Sequence, residues 1–232
     1  MEYRCVQCGF RIKTLFVQYS PGNIRLMKCD NCRAIADEYI ECEIMIPLLD
    51  LILHKPKAYR HLLYNVLNHE TVNLEALLWK STIGFHLLDA YRSLLLTRSD
   101  EEQSSSMSFS SLVWICQKML KDVVFGNIMF LCIFLLASRT LLNTQGGVFR
   151  FRDFFLAILI SSYFKIFLVA MMVWKFPSSV IFIVDLFVLS SNAVALKVIT
   201  ESSMIRIIGA CFVAHAVKIF IVQGLELSSL RY

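Results

Sequence analysis

The sequence predicts a small β zinc ribbon followed by an α-helical polytopic membrane domain of about four transmembrane helices. Three observations carry that prediction: two Cys-x-x-Cys pairs in the first 32 residues, four long apolar stretches in the second half, and a basic surplus confined to that half. Apolar residues make up 57% of the 232-residue chain, with a mean hydropathy of +0.61, above the roughly 45–50% apolar usage of soluble domains. Residues 1–110 hold 12 Lys/Arg against 13 Asp/Glu, while residues 111–232 hold 11 against 5. The net charge of +5 therefore belongs to the apolar half. Within residues 1–45, six basic and six acidic side chains cancel. Such a ribbon lacks the cationic surplus that drives nucleic-acid affinity, and no nucleic-acid partner is expected.

Residues 1–45 are the ribbon. Cys5, Cys8, Cys29 and Cys32 follow C-x2-C-x20-C-x2-C, at the long edge of the zinc template. Each pair brings two thiolates to one side of a tetrahedral metal, and four thiolates leave no open position for water, so Zn2+ here would be structural. Gly9 suits the tight turn after Cys8. The β-forming stretches "RIKTLFVQY" and "IRLMK" flank "SPGN", where Pro21 and Gly22 fit the central positions of a type II turn. A redox dithiol or an iron–sulfur site are the alternatives. "MEYRC" contains no apolar secretory core, and five of the eight cysteines fall in the first 42 residues; an odd cluster of that kind favours a metal over disulfides. Cys42 is either a buried small hydrophobe or a fifth ligand.

Residues 46–110 form a helical juxtamembrane region and a Ser-rich linker. Pro47 and Pro56 punctuate its start. Residues 74–96 place Leu74, Leu77, Leu78, Phe85, Leu88 and Leu95 near one helical face. Lys80, His86, Asp89 and Arg92 argue against a span, leaving a helix on the bilayer surface or one packed against the soluble domain. "TRSDEEQSSSMS" (97–108) reads as linker.

Residues 111–232 hold the spans, at roughly 123–143, 154–174, 177–197 and 204–223, each near the length that crosses hydrocarbon. Lys165, Asp185, His215 and Lys218 interrupt them as a polar layer. Lys165 and Asp185 lie about ten residues to either side of "KFP", so at about 1.5 Å per residue they reach one depth. They are expected to pair. A structural ion pair and a polar lipid or ion path are the competing readings of the layer. Loop basic residues are nearly balanced. Reduced cysteines therefore decide for a cytosolic ribbon, and four crossings return the C-terminus to the same side. No P-loop, G-x-S-x-G, H-E-x-x-H or dinucleotide fingerprint is present. His54, His61, His69 and His86 have no metal spacing, and Gly146–Gly147 lack a phosphate-cradle context. No enzymatic activity is expected.

Behind the ribbon, "DEYIE" (37–41), "DLILHK" (50–55) and "YRHLLYN" (59–65) precede the spans. This combination resembles the Arv family, named for "acyltransferase-related enzyme required for viability". The likeness is close over residues 3–65 and rests on hydropathy beyond. It implies a functional region comprising Cys5, Cys8, Cys29 and Cys32 with Tyr59, Arg60, His61 and Asn65. It further implies a multi-pass endoplasmic-reticulum protein of sterol homeostasis, acting in sterol uptake, trafficking and distribution, with effects on sphingolipids and glycolipid-anchor precursors. Expected partners are those lipids and the enzymes that make them. The alternative is a ribbon adapter that scaffolds such enzymes without moving lipid.

Overall fold

The computed structural model describes residues 3–67, 73–100, 109–141, 151–174, 176–177 and 179–229. His69, residues 101–108 of the predicted linker, Gly146–Gly147 and Tyr232 lie outside them. The chain forms two compact units.

The first unit comprises Met1–Leu78 with Val194–Glu201. Strand β1 (Tyr3–Arg4) pairs antiparallel with β2 (Arg11–Ile12), and β3 (Phe16–Ser20) with β4 (Asn23–Leu26). Gly22 adopts φ 83°, the left-handed backbone that the predicted turn requires. Asp37 caps a 3-10 turn at Glu38–Glu41, accepting from the Tyr39 N–H at 3.0 Å. Helix α1 (Met45–Ile52) follows, then α2 (Pro56–Arg60), which starts on a proline, where no N–H is needed. It continues as a π-helical turn over His61–Val66. Val6, Tyr39 and Ala58 form a small buried core with Leu51 packed against it.

The second unit is helical and comprises Trp79–Ala193 with Ser202–Tyr232. Its elements are α3 (Leu74–Asp100), α4 (Phe109–Leu141), α5 (Phe151–Ser161), a 3-10 turn (Ser162–Ile166), α6 (Phe167–Val173), α7 (Ser179–Thr200) and α8 (Met204–Ser229). Among the described residues, four stretches are long and apolar enough to cross a membrane: Cys116–Thr140, Phe154–Met171, Ser179–Thr200 and Met204–Ile221. Along α8, Ile207, Ala210, Cys211 and Ala214 are buried, and small residues at such spacing let α4 approach closely. Phe125, Phe182, Leu186, Phe212 and Phe220 stay exposed, as lipid-facing positions would.

Two sequence expectations are corrected. The second span is not one continuous helix: Ser162–Ile166 tightens into a 3-10 turn that carries Lys165. Helix α3 from Trp79 onward belongs to the helical unit rather than to the ribbon unit, with its Asp89 meeting Lys165 and Lys218. Its buried face centres on Phe85 and Asp89, one turn apart. The charges that seemed to exclude it from the bundle are what hold it there.

Candidate metal centre and buried charge cluster

The two Cys-x-x-Cys pairs build near-identical knuckles. In the first, the Gly9 N–H donates to Cys5 O at 2.9 Å and the Cys5 N–H to Phe10 O at 2.9 Å. In the second, the Arg33 N–H donates to Cys29 O at 2.8 Å and the Cys29 N–H to Ala34 O at 2.8 Å. Both turns need a left-handed residue after the second cysteine, supplied by Gly9 (φ 79°) and Arg33 (φ 60°). The ligand atoms of Cys5, Cys8, Cys29 and Cys32 lie within 4.8 Å of one another. Cys5 and Cys32 sulfurs are 3.7 Å apart, Cys8 and Cys29 sulfurs 3.6 Å. A tetrahedron with metal–sulfur bonds of about 2.3 Å has edges of about 3.8 Å, so these two pairs sit at the spacing such a metal needs and the donor set fits one. All four thiols are free of disulfides. Burial pushes the Cys5 thiol up to about 12. At Cys8 burial also acts upward, but the Phe10 N–H and the Asn31 side chain outweigh it and bring the thiol down to about 7. Cys42 is neither buried nor part of the cluster; its thiol donates to Glu38 O at 3.3 Å.

The "YRHLLYN" stretch reaches into this ribbon. Arg60 Nη1 donates to the carbonyls of Val6 and Gln7, at 2.8 and 3.0 Å, clamping the loop between Cys5 and Cys8. His61 Nδ1 lies 2.7 Å from Asp37 Oδ2, and Asn65 Nδ2 donates to the same oxygen at 2.6 Å. Asn65 also exchanges two bonds with the Arg4 backbone, at 2.9 and 3.0 Å. Tyr59 is buried, with its hydroxyl donating to Leu51 O at 3.5 Å. Arg60, His61 and Asn65 thus brace the ribbon. Asp37, fully buried at their centre, was missed as a site residue, although it opens the quoted "DEYIE". Burial and a hydrogen bond to Asp50 raise the Tyr39 hydroxyl, and Lys55 holds Asp50 below the usual carboxylate range.

In the helical unit the predicted Lys165–Asp185 pair is replaced by a different one. Asp89 of α3 lies 2.8 Å from Lys165 Nζ and 2.6 Å from Lys218 Nζ. Asp185 instead receives Arg92, through Nε at 3.1 Å to both oxygens and Nη2 at 2.5 Å. The depth estimate for the hairpin considered only charges on the spans, and α3 supplies two more, Asp89 and Arg92, three residues apart on one face. His215 accompanies a different polar group: its Nε2 is 3.3 Å from Asn192 Nδ2, and Phe130 meets its ring edge-on at 4.8 Å. Asn192 Oδ1 accepts from Ser161 and Ser162 at 2.5 and 3.3 Å. Lys165 Nζ also sits 3.5 Å from the Phe85 ring centroid, a cation–π contact. Three cationic side chains thus share two carboxylates inside an apolar bundle. Asn127 of α4 is fully buried with neither amide atom hydrogen-bonded.

Comparison with known proteins accounts for most of this chain. The family model described as the Arv1-like family matches residues 4–196. "Protein ARV 1" of Arabidopsis thaliana is 56% identical over 225 residues, covering 97% of this chain and 89% of that protein. "Protein ARV 2" of the same plant is 53% identical over 94% of this chain and 93% of its own length. "Protein ARV1" of Homo sapiens is 26% identical over 85% of this chain and 72% of its own length. No solved structure matches the fold.

Proposed function

The chain belongs to the Arv1-like family, and we propose that it is a non-enzymatic mediator of lipid and sterol homeostasis in the endoplasmic-reticulum membrane. Its reach would extend to sterol distribution, sphingolipid metabolism and delivery of glycolipid-anchor precursors. In this reading the ribbon faces the cytosol and holds one structural Zn2+ through Cys5, Cys8, Cys29 and Cys32, and the spans do the work on lipid.

The observation that carries the reading is the charge imbalance at Asp89, Asp185, Arg92, Lys165 and Lys218. Charged groups in a bilayer are costly and are kept where they serve a path or a counter-ion. Two lysines on one carboxylate leave one cation for which an anionic lipid headgroup is the natural complement. Lys165 stands on the break between α5 and α6, where the tightened backbone marks a hinge of the kind functional helices use.

The adapter reading is favoured by a separate observation. Phe16, Val17 and Tyr19 of β3 are all exposed, which gives the ribbon an apolar edge for a protein. Reconstitution separates the two. Purified chain in liposomes is expected to accelerate sterol or anionic-lipid movement between donor and acceptor vesicles, and Lys165→Met should remove that acceleration. Intact, metal-loaded protein with no acceleration would leave the adapter reading in possession.

A further inference from the structure

Helix α1 carries apolar side chains that stay about half-exposed or more. Along Ile44–Leu53, the residues Ile44, Met45, Ile46, Leu48, Leu49 and Leu53 are each 44–82% exposed. No residue of the helix is buried. Leu51 makes its contact with the core of Val6, Tyr39 and Ala58. Exposure of this kind is ordinary on a lipid-facing span. On a unit built from a ribbon and short helices, it is the contiguous patch that marks a binding surface.

The patch is also free of charge. Asp50 is the one charged residue between Ile44 and His54. It is turned aside, accepting from the Tyr39 hydroxyl at 2.8 Å and from Lys55 Nζ at 2.7 Å. What remains is a short helix with an apolar surface, followed by Lys55 and Lys57, which pair with Asp50 and Glu38. That is the make-up of an interfacial helix.

The same compact unit supplies the membrane. It contains Val194–Glu201, the end of the candidate span Ser179–Thr200. Arg4 pairs with Glu201 at 2.9 Å, and the Tyr64 hydroxyl donates to Val198 O at 3.4 Å. A unit of 86 residues has a radius of gyration of about 12 Å. Held to α7 by those two contacts, the unit sits at the leaflet in which that helix ends. We propose that α1 is a monotopic anchor, lying in the interfacial layer of that leaflet with Ile44, Met45, Ile46, Leu48, Leu49 and Leu53 among the acyl chains.

The test uses the full chain with a photo-crosslinking side chain at Leu49, and a second chain carrying it at Gln18 on the ribbon hairpin. Both are placed in phosphatidylcholine nanodiscs and also irradiated in native membranes. Metal content per chain reports that each remains folded. Phospholipid adducts at Leu49 at least tenfold above those at Gln18 are the expected result. A metal-loaded Leu49 chain without lipid adducts would overturn the proposal, as would adducts in native membranes running to a protein instead. Should the Leu49 chain lose its metal, the same crosslinker at Ile46 gives the reading.

Discussion

Two buried aspartates, one in each unit, solve the same problem in opposite ways. Asp37 is wholly buried and is met by a backbone N–H, a histidine ring nitrogen and an asparagine amide. Asp89, 4% exposed, is met by two lysine ammonium groups. The partners of Asp37 come from within 28 positions along the chain, whereas Lys218 lies 129 positions from Asp89. The first arrangement uses directed hydrogen bonds to organise a loop-rich ribbon. The second uses charge to fix helices that slide easily past one another, because in hydrocarbon no hydrophobic force selects their register.

The largest effect should come from the metal, and it should stop at the unit boundary. Binding free energy of a structural zinc is folding free energy, about 10–16 kcal/mol in small zinc domains. Cys8→Ser should abolish metal by elemental analysis and open the ribbon to limited proteolysis. The stretch Trp79–Ala193 of the helical unit should survive unchanged. Co-digestion of both regions would show that the units do not fold separately.

Next in size is the bundle cluster. Asp89→Leu leaves two lysines facing apolar surroundings, and breaking a buried pair typically costs about 3–5 kcal/mol. Double-mutant cycles of thermal unfolding in detergent should then distinguish true partners. Arg92→Leu with Asp185→Leu, which remove a direct contact, should show coupling in the range of about 0.5–3 kcal/mol, and Lys165→Leu with Asp185→Leu, which share only the cluster, a weaker one. Stronger coupling in the second pair than in the first would restore the hairpin pairing read from the sequence.

These outcomes bear on how far the sequence could be read. The ribbon was legible because a four-cysteine cluster is local in sequence: spacing, a turn residue and β-forming stretches all sit within 32 residues. The four spans were legible because hydropathy needs no partner. Asp89 and Arg92 were not, since their charge argued α3 out of the bundle, and only the lysines and aspartate on distant helices make that charge tolerable. The break at Ser162–Ile166 left no proline or glycine to announce it. The motif residues Tyr59, Arg60, His61 and Asn65 were visible as a pattern, but the contacts of His61 and Asn65 with Asp37 and of Arg60 with Val6 and Gln7 were not, because they depend on how α2 folds back.

The Asp37 network should yield a smaller loss than Asp89. Asp37→Asn keeps the shape but turns an amide N–H toward donors from His61 and Asn65. An unsatisfied buried polar group costs about 1–3 kcal/mol, so the ribbon should unfold at lower temperature while still binding metal. A loss as large as that of Asp89→Leu would erase the distinction between hydrogen-bonded and charge-paired aspartates.

The smallest effect sharpens the comparison within the ribbon itself, where the two knuckles put different residues at one left-handed position. Gly9 and Arg33 occupy the same left-handed turn, at φ 79° and 60°. A side chain there crowds its own backbone at a cost of roughly 1–2 kcal/mol, and glycine escapes it. Arg33 is exposed, so Arg33→Gly should relieve strain at the second knuckle. Glycine also leaves the unfolded chain more freedom to lose, which offsets part of the gain. The net should be a stabilisation of about 0.5–1 kcal/mol, smaller than the strain alone. Gly9→Ala runs the other way. A Cβ there would meet Glu201 Oε1 at 3.5 Å and Arg60 Nε at 3.7 Å, which is ordinary contact, so the loss should reflect backbone strain alone. Metal-release temperatures of the two variants against the parent would measure both signs. Equal destabilisation by both changes would mean that Arg33 is held by contacts outside its turn, and that the knuckles are alike in geometry but not in energy.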